Sequence, residues 1–122
     1  ALTGVDHTAD DQMTHSAIQI PLAAATTRHL AVVRKFAPFG VGNPEPLFRF
    51  DNVTIQTTKL FGKTKEHIEC LVRDDTGNAT AFTFFADDDL MERLVPGGVV
   101  TLLGTLEAGW RGGVRIRIKE LL

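Results

Sequence analysis

The sequence predicts a mainly β protein in which five strands form a small barrel, with one short helix between the third and the fourth strand. Five segments alternate apolar and polar residues, which is typical of half-buried strands. A short apolar stripe with helical spacing separates the third segment from the fourth. A strand and a longer helix come before the barrel, and a segment rich in proline and glycine divides the two parts.

The part before the barrel is predicted from its periodicity. Residues 13–20 alternate weakly and indicate a strand, whereas residues 21–36 carry apolar side chains at helical spacing, with Thr26 or Thr27 as a candidate N-cap. The connector that follows has three prolines and two glycines in nine residues, so it can continue neither a helix nor a central strand. Because it also contains Phe39 and Val41, we expect it to pack on the protein as a joint.

Each barrel strand is bounded by turn or helix signals. Asp74–Asn78 predicts a tight hairpin because Gly and Asn tolerate positive backbone angles, and Asp87–Asp89 predicts a helix start. The second strand should face the core with Ile68, Cys70 and Val72, and the fifth with Ile116 and Ile118. The predicted strands are residues 48–58, 66–73, 79–85, 99–106 and 114–119.

This order of elements predicts a five-stranded OB-fold barrel, which has a helix between its third and fourth strands. An SH3-like barrel is the main alternative, and it usually lacks that helix. The chain has 122 residues and 43% hydrophobic residues, which is enough to bury a core of its own. The sequence therefore favours the OB fold.

Composition excludes several classes of function. The single cysteine, Cys70, cannot form an internal disulfide and lies in an alternating apolar segment, so we expect a buried thiol. No apolar run approaches the roughly 20 residues of a membrane span, and no signal pattern opens the chain, so we expect an intracellular protein without membrane partners. Because the chain opens without Met and with polar, acidic residues, we expect an excised fragment.

The charges are distributed unevenly although the net charge is only -2. Seven of the 13 basic residues fall in two short spans that contain no acid. These residues are Lys59, Lys63, Lys65, Arg111, Arg115, Arg117 and Lys119. The acids cluster instead in the predicted hairpin turn and the predicted helix start, so we expect a surface with regions of both signs.

The two basic spans coincide with the places where OB domains commonly bind single strands, namely the face of the second and third strands and the two loops that flank it. We place Lys59 and the two following lysines in the first of these loops. An exposed indole at Trp110 could stack on a base. The candidate nucleic-acid-binding residues are Lys59, Lys63, Lys65, His67, Arg73, Trp110, Arg111, Arg115 and Arg117.

Structural roles are the alternatives for several of these residues. Arg115 and Arg117 alternate along the last strand, as charged residues that keep a strand edge soluble also do. Trp110 lies among glycines and could instead cover the barrel end. Phe82 and Phe84 share one face of their strand, where core packing is favoured over base stacking. No spacing of the four histidines suits a metal, and no cysteine pair supports zinc.

The connector begins the motif PFGVGNPEPLF at residues 38–48, which resembles the joint between the DHHA1-type domain and the OB domain of the RecJ family of single-stranded-DNA-specific exonucleases. Residues 53–62, 68–85 and 101–119 are similar to that family's OB domain in order and spacing. The resemblance implies three parts. These are the end of a DHHA1-type domain with a disordered start at residues 1–37, the connector at residues 38–47, and the OB domain at residues 48–122.

The resemblance also implies metal-dependent 5′–3′ degradation of single-stranded DNA in repair and recombination, in the bacterial cytoplasm. In that family Mn or Mg is held by the catalytic DHH domain, which includes an Asp-His-His triplet. Here Asp6-His7-Thr8 lacks the second His, and the glycine-glycine-histidine motif of DHHA1 domains is absent. We therefore expect no catalytic residue, metal or cofactor in this fragment. Its partners would be single-stranded DNA and the catalytic DHH and DHHA1 domains of the same polypeptide.

Two hypotheses follow for the chain itself. The first is an OB domain that binds single-stranded DNA and helps to feed it to the nuclease core. The second is a protein-interaction or architectural OB domain, which the acidic clusters and the modest net charge favour. Salt dependence separates them, because phosphate binding by several cations weakens steeply as salt rises. Lys63→Glu and Arg115→Glu should abolish binding under the first hypothesis only.

Overall fold

The computed structural model of the chain describes residues 17–109 and 112–122, and within these ranges five strands close into an OB-fold barrel, as predicted. The elements are β1 (Ile18–Gln19), a 3₁₀ turn (Leu22–Ala24), α1 (Thr27–Arg34), β2 (Phe48–Phe61), β3 (His67–Asp74), β4 (Gly77–Thr83), α2 (Asp88–Arg93), β5 (Val99–Ala108) and β6 (Val114–Leu121). In the described part of the chain, no helix has the length and apolar character that crossing a membrane requires.

The barrel has the strand order β2-β3-β4-β6-β5 and is closed by the pairing of β5 with β2. Strand β6 runs parallel to β4, and the other barrel pairs are antiparallel. Strand β2 pairs with β5 through its first half and with β3 through its second half, and its register shifts at two places. Bulges of this kind bend a strand, which lets one long strand serve both sides of a barrel.

The core fills the barrel with the side chains that alternation predicted to face inward. Ile68, Cys70 and Val72 of β3 and Ile116 and Ile118 of β6 are all buried, which confirms these assignments. The Cys70 thiol is 1% exposed, and burial raises its pKa. Full burial of a side chain of this kind stabilises a fold by about 1.5–3 kcal/mol, so this cluster supplies the main driving force for closure.

The second bulge in β2 changes which side chains face inward. Strict alternation would place Thr57 on the same face as the buried Val53 and Ile55, but Thr57 is exposed. Thr58 is partly buried instead, and its hydroxyl donates a hydrogen bond to the Leu94 carbonyl (2.8 Å). The strand also continues to Phe61, three residues beyond its predicted end. Lys59 therefore lies on strand β2 and not in the first loop, where the sequence had placed it. Strict alternation cannot detect a bulge, because a bulge inserts one extra residue.

The hairpin between β3 and β4 forms where predicted but for a different reason. Its two loop residues are Asp75 and Thr76, and neither they nor Gly77 has a positive φ. The Asp74 carboxylate closes the turn instead, accepting from the backbone N–H groups of Thr76 (2.7 Å) and Gly77 (3.1 Å). It also accepts from the N–H of Leu22 (2.9 Å), and so ties the 3₁₀ turn to the barrel.

The segment before the barrel packs against it. Strand β1 pairs in parallel with the start of β2, and the buried Leu30 and Val33 of α1 join the core cluster. Thr26 caps α1, accepting from the N–H of His29 (3.2 Å), as one of the two predicted caps. The assignment of residues 1–37 to a DHHA1-type domain stays a prediction, and its expected disordered start lies largely outside the described residues.

The connector is an ordered turn that only partly packs on the barrel. The Asn43 side-chain amide donates to the carbonyls of Phe36 (2.8 Å) and Pro38 (2.7 Å), which closes the turn on the end of α1. Phe39 is partly buried against the core, as expected. Val41 is fully exposed, so the expectation that it packs was wrong. It lies at the tip of the turn, between Gly40 and Asn43, whose backbones pair with each other.

Candidate nucleic-acid interface

The outer face of strands β3, β4 and β6 carries a phenylalanine that solvent does not reach. Phe82 of β4 lies beside Glu69 of β3 and Arg117 of β6, whereas its neighbour Ala81 points into the core. Successive residues of a strand face opposite sides, so Phe82 lies outside the barrel. It is nevertheless 0% exposed. Its burial is therefore due to side chains laid over the barrel and not to the barrel core.

Arg115 is part of that cover. Its guanidinium lies 3.9 Å from the centre of the Phe82 ring, and its Nη2 donates to Glu107 Oε1 at 2.9 Å. The side chain is only 12% exposed. A cation stacked on an aromatic ring and paired with a carboxylate is held in one place. Arg115 therefore serves first as a structural cover, which leaves little of it available to a phosphate.

Arg117 lies two residues further along β6, on the same face, and its side chain is far more accessible, with 42% exposed. Its guanidinium lies 5.2 Å from the centre of the Phe84 ring, and its Nη1 is 3.9 Å from Glu107 Oε2. That distance is too long for a hydrogen bond, so the ion pair is loose. Arg117 can therefore turn towards an anion at small cost.

A continuous aromatic row extends from these arginines along the outer face. It consists of Phe82, Phe84, His67 and Phe85, with Phe61 beside His67. The ring centres are 5.4 Å apart for Phe82 and Phe84, 5.2 Å for Phe84 and His67, and 4.7 Å for His67 and Phe85. All three contacts are edge-to-face, the arrangement that the charge distribution of aromatic rings favours.

His67 is fixed at the centre of this row. Its ring lies 5.2 Å from the ring of Phe61, and its Nδ1 accepts a hydrogen bond from the backbone N–H of Phe85 (3.0 Å), which places the ring proton of the neutral form on Nε2. Gly62 makes room for it, because a Cβ at that position would lie 2.6 Å from His67 Cδ2. The half-buried His67 is thus part of the scaffold of the face.

A groove of about 360 Å³ lies beside the row, between β2 and the β5–β6 loop. It is lined by Lys59, Phe61, Glu69, Thr80, Gly109, Gly112, Val114 and Arg115. The adjoining β2–β3 loop carries Lys63 and Lys65, both exposed. Lys59 and Arg115 thus bring two cations to a groove that also has an aromatic wall and the Glu69 carboxylate, and cations beside an aromatic ring suit phosphates and bases.

One predicted site residue, Arg73, lies away from the groove. Arg73 is exposed at the far end of β3, six residues from His67, which is about 20 Å along an extended strand. Trp110 and Arg111 lie outside the described residues. Arg73 is therefore distant from the outer-face residues around His67.

Sequence reasoning missed three residues of this face, namely Phe61, Phe85 and Glu107. Phe61 had been placed in a turn, and the exposure of Phe85 depends on a backbone angle that no pattern reveals. Glu107 stands opposite Arg115 in the β5–β6 ladder, a register that the length of the hairpin loop determines. The basic span that looked free of acids in the sequence is therefore partly neutralised in the fold.

A second, larger cavity of about 520 Å³ has the opposite character. Three carboxylates, those of Asp51, Asp74 and Asp75, contribute to its walls. Partial burial works against ionisation of Asp74, but the hydrogen bonds from Leu22, Thr76 and Gly77 outweigh it and lower its pKa. Carboxylates repel phosphate, so this cavity suits nucleic acid less well than the groove does.

The closed five-stranded barrel, with its helix between the third and fourth barrel strands, defines the chain as an OB-fold domain. A family model described as the RecJ OB domain matches residues 17–120. The chain therefore belongs to the RecJ OB-domain family. A search of curated proteins finds no match to the sequence.

Solved structures share the fold at low identity. Asparaginyl-tRNA synthetase from Pyrococcus horikoshii is 19% identical, with a TM-score of 0.52, over 62% of this chain and 19% of that one. A putative aspartyl-tRNA synthetase from Leishmania major Friedlin is 15% identical, with a TM-score of 0.54, over 87% of this chain and 20% of that one. The second OB-fold domain of replication protein A from Methanococcus maripaludis is 16% identical, with a TM-score of 0.43, over 63% and 80%. The chain thus spans about a fifth of the length of the two synthetases.

Proposed function

We propose that this chain is the single-stranded nucleic-acid-binding OB domain of a RecJ-like 5′–3′ single-stranded-DNA exonuclease of the cytoplasm that acts in DNA repair and recombination. It would hold the strand for the catalytic DHH and DHHA1 domains of the same polypeptide. The observation that carries the proposal is the exposed Arg117 guanidinium above Phe84, on the same outer face as the groove. Membership of the RecJ OB-domain family supports it.

The chemistry of the face suits binding without sequence preference. Arg117 and the loop lysines Lys63 and Lys65 would attract phosphates, while the rings beside them offer apolar contact to any base. Phosphate attraction and stacking on a ring depend on groups that every nucleotide has, and not on the identity of its base. The domain would therefore accept unpaired strands of any sequence.

The hydrolytic step belongs to the other domains under this proposal. Within residues 17–109 and 112–122, no group of three or more His, Cys, Asp or Glu side chains is close enough together to hold a metal ion. The described residues therefore do not fit the Mn or Mg that the family's nuclease reaction implies. We therefore assign this chain a binding role and no step of the reaction.

The test is the salt dependence of binding to a labelled single strand, measured by fluorescence anisotropy. Arg117→Ala should weaken binding and reduce the slope of log K against log salt by about 0.7, the value for one phosphate contact to a single strand. Arg34→Ala on the exposed surface of α1 removes the same charge away from the groove and should leave the slope unchanged. Equal slopes for wild type and Arg117→Ala would contradict the proposal.

Arg115 is unsuitable for this test, although its charge reversal was the natural choice from sequence. Arg115→Glu would put a second carboxylate beside Glu107 in a site where the side chain is 12% exposed, and it would uncover Phe82. Loss of binding would then report a damaged face. Lys63→Glu, on an exposed loop, tests the same electrostatic hypothesis without that cost.

The second candidate function is that of a protein-interaction or architectural domain. It is favoured by the carboxylate of Glu107, which partly neutralises the basic face, and by the exposed Val32 and Phe36 of the α1 region, which suit a protein contact. Wild-type protein that shows no salt-dependent anisotropy change with single strands would favour this function over strand binding.

A further inference from the structure

Phe85 stands out among the aromatic residues because its ring is exposed and its backbone is strained. The residue is 71% exposed, although Phe is among the side chains that folding most often buries. Its φ of 53° lies in the left-handed region, where a bulky side chain is a genuine outlier. Conformations of this kind persist only when the surrounding structure enforces them, and they cluster at functional sites.

The surrounding contacts hold Phe85 in this conformation from both sides. Its backbone N–H donates to His67 Nδ1 (3.0 Å), and its ring meets the His67 ring edge-to-face at 4.7 Å. The next residue is anchored to the β2–β3 loop, since the N–H of Ala86 donates to the Glu66 carbonyl (2.8 Å). The His67 ring is itself wedged between Phe61 and Phe84. The ring of Phe85 is therefore displayed outward by a rigid support.

Its position continues the proposed binding face. Phe85 is the last member of the aromatic row whose other end lies under Arg115 and Arg117. On its loop side, Glu66 directly follows Lys65 in the chain. An exposed ring that continues a row beginning at the accessible Arg117 suits a base of a strand whose phosphate Arg117 holds. A purely apolar partner would make no use of the exposed Arg117 guanidinium at the other end of the row.

We propose that Phe85 is a stacking platform for one unpaired nucleobase at the end of the aromatic row, an inference that rests on the proposed function. Its face takes any base, because every base has a π-face. The strand would run from the arginines of β6 along the row, so that Arg117 meets the phosphates and Phe85 receives a base beyond them. His67 acts as a positioning residue that keeps the ring turned outward.

The experiment compares Phe85→Ala with wild type in anisotropy titrations, using a labelled single strand and a matched abasic strand that keeps the sugar and phosphate. Phe85→Ala should weaken binding to the normal strand at least fivefold, the lower bound for loss of one base–aromatic stack. The salt slope should stay at the wild-type value, because no charge is removed. On the abasic strand the two proteins should bind equally.

Two further variants separate stacking from general loss of apolar surface or of folding. Phe36→Ala removes a ring of similar exposure, 64%, at the end of α1, and should bind like wild type. Phe85→Trp should restore binding, whereas Phe85→Leu, which keeps apolar bulk without a π-face, should not. A melting temperature of Phe85→Ala equal to that of wild type would show that the exposed ring is not needed for the fold.

The outcomes distinguish this inference from the function on which it rests. If wild type shows no salt-dependent binding, both fail. If binding depends on Arg117 but Phe85→Ala binds as tightly as wild type, the stacking platform alone is overturned, and a protein partner becomes the better occupant for the exposed ring. A loss that persists on the abasic strand, or that Phe36→Ala reproduces, would also overturn it.

Discussion

The carboxylate of Glu107 should weaken the hold of this face on nucleic acid, and its removal should therefore strengthen binding. Glu107 Oε1 accepts from Arg115 Nη2 at 2.9 Å, while Oε2 lies 3.9 Å from Arg117 Nη1. Glu107→Gln keeps the shape and an acceptor for Arg115, but it removes the charge that competes with a phosphate for Arg117. The substitution thus isolates electrostatic competition from packing.

The size of the effect follows from the exposure of the pair. The side chains of Arg117 and Glu107 are 42% and 32% exposed, so the loose ion pair is worth about 0.2–1 kcal/mol, as exposed pairs are. A phosphate that no longer has to displace this contact should bind about 1.5 to 5 times more tightly. The gain should shrink as salt rises, because exposed charges are screened.

The assay is anisotropy of a labelled single strand at about 50 and 200 mM salt. The control is Glu92→Gln on the exposed surface of α2, which changes the net charge equally outside the groove. The melting temperature should fall only slightly for Glu107→Gln. The acceptor of the hydrogen bond from Arg115 changes from a charged carboxylate to a neutral amide, at a cost of about 1 kcal/mol. Unchanged or weaker binding by folded Glu107→Gln at the lower salt would refute the competition, as would an equal gain in Glu92→Gln.

Three further predictions concern stability and reactivity. Gly104→Ala should lower the free energy of unfolding in urea by about 3 kcal/mol, because its Cβ would lie 2.5 Å from the Arg117 carbonyl oxygen; a loss below about 1 kcal/mol would contradict that contact. The lowered pKa of Asp74 means that its carboxylate stabilises the fold above the unfolded pKa of about 3.9 and that this contribution disappears as pH falls through the folded pKa. Asp74→Asn should therefore cost about 1–2 kcal/mol at neutral pH and flatten the acid limb of the stability curve, and an unchanged limb would be inconsistent with this role. The buried Cys70 thiol should react with a disulfide reagent at least about 100 times more slowly in the folded protein than in denaturant, and equal rates would show that the barrel opens freely.

Much of the barrel could be predicted from local pattern. The inward faces of β3 and β6 follow from the alternation of apolar and polar residues, because a strand with one face in the core and one in solvent must alternate in this way. The inward residues are Ile68, Cys70, Val72, Ile116 and Ile118. The start of α2 follows from Asp87, whose side chain accepts from the N–H of Leu90 (2.9 Å). In these places each residue's role depends on neighbours a few positions away, which the sequence displays directly.

The candidate site was less predictable, because its members meet only through the register of the strands. Lysines and arginines could be assigned to a face from their spacing, but their partners could not. Whether Arg115 is exposed depends on Phe82, which lies 33 positions earlier and contacts it through the parallel pairing of β4 and β6. A basic residue that looks free in the sequence can therefore be a buried cover in the fold.

The sequence by itself determined the class of fold, the order of the strands, the two basic spans and the ordered connector, because periodicity, proline and glycine act over short distances. Tertiary structure alone decided that a bulge turns Thr58 inward, that Glu107 faces Arg115 and Arg117, and that Phe85 is held outward by His67. These features arise from contacts between segments that closure of the barrel brings together. No local pattern encodes them, since each depends on the exact register in which the strands pair.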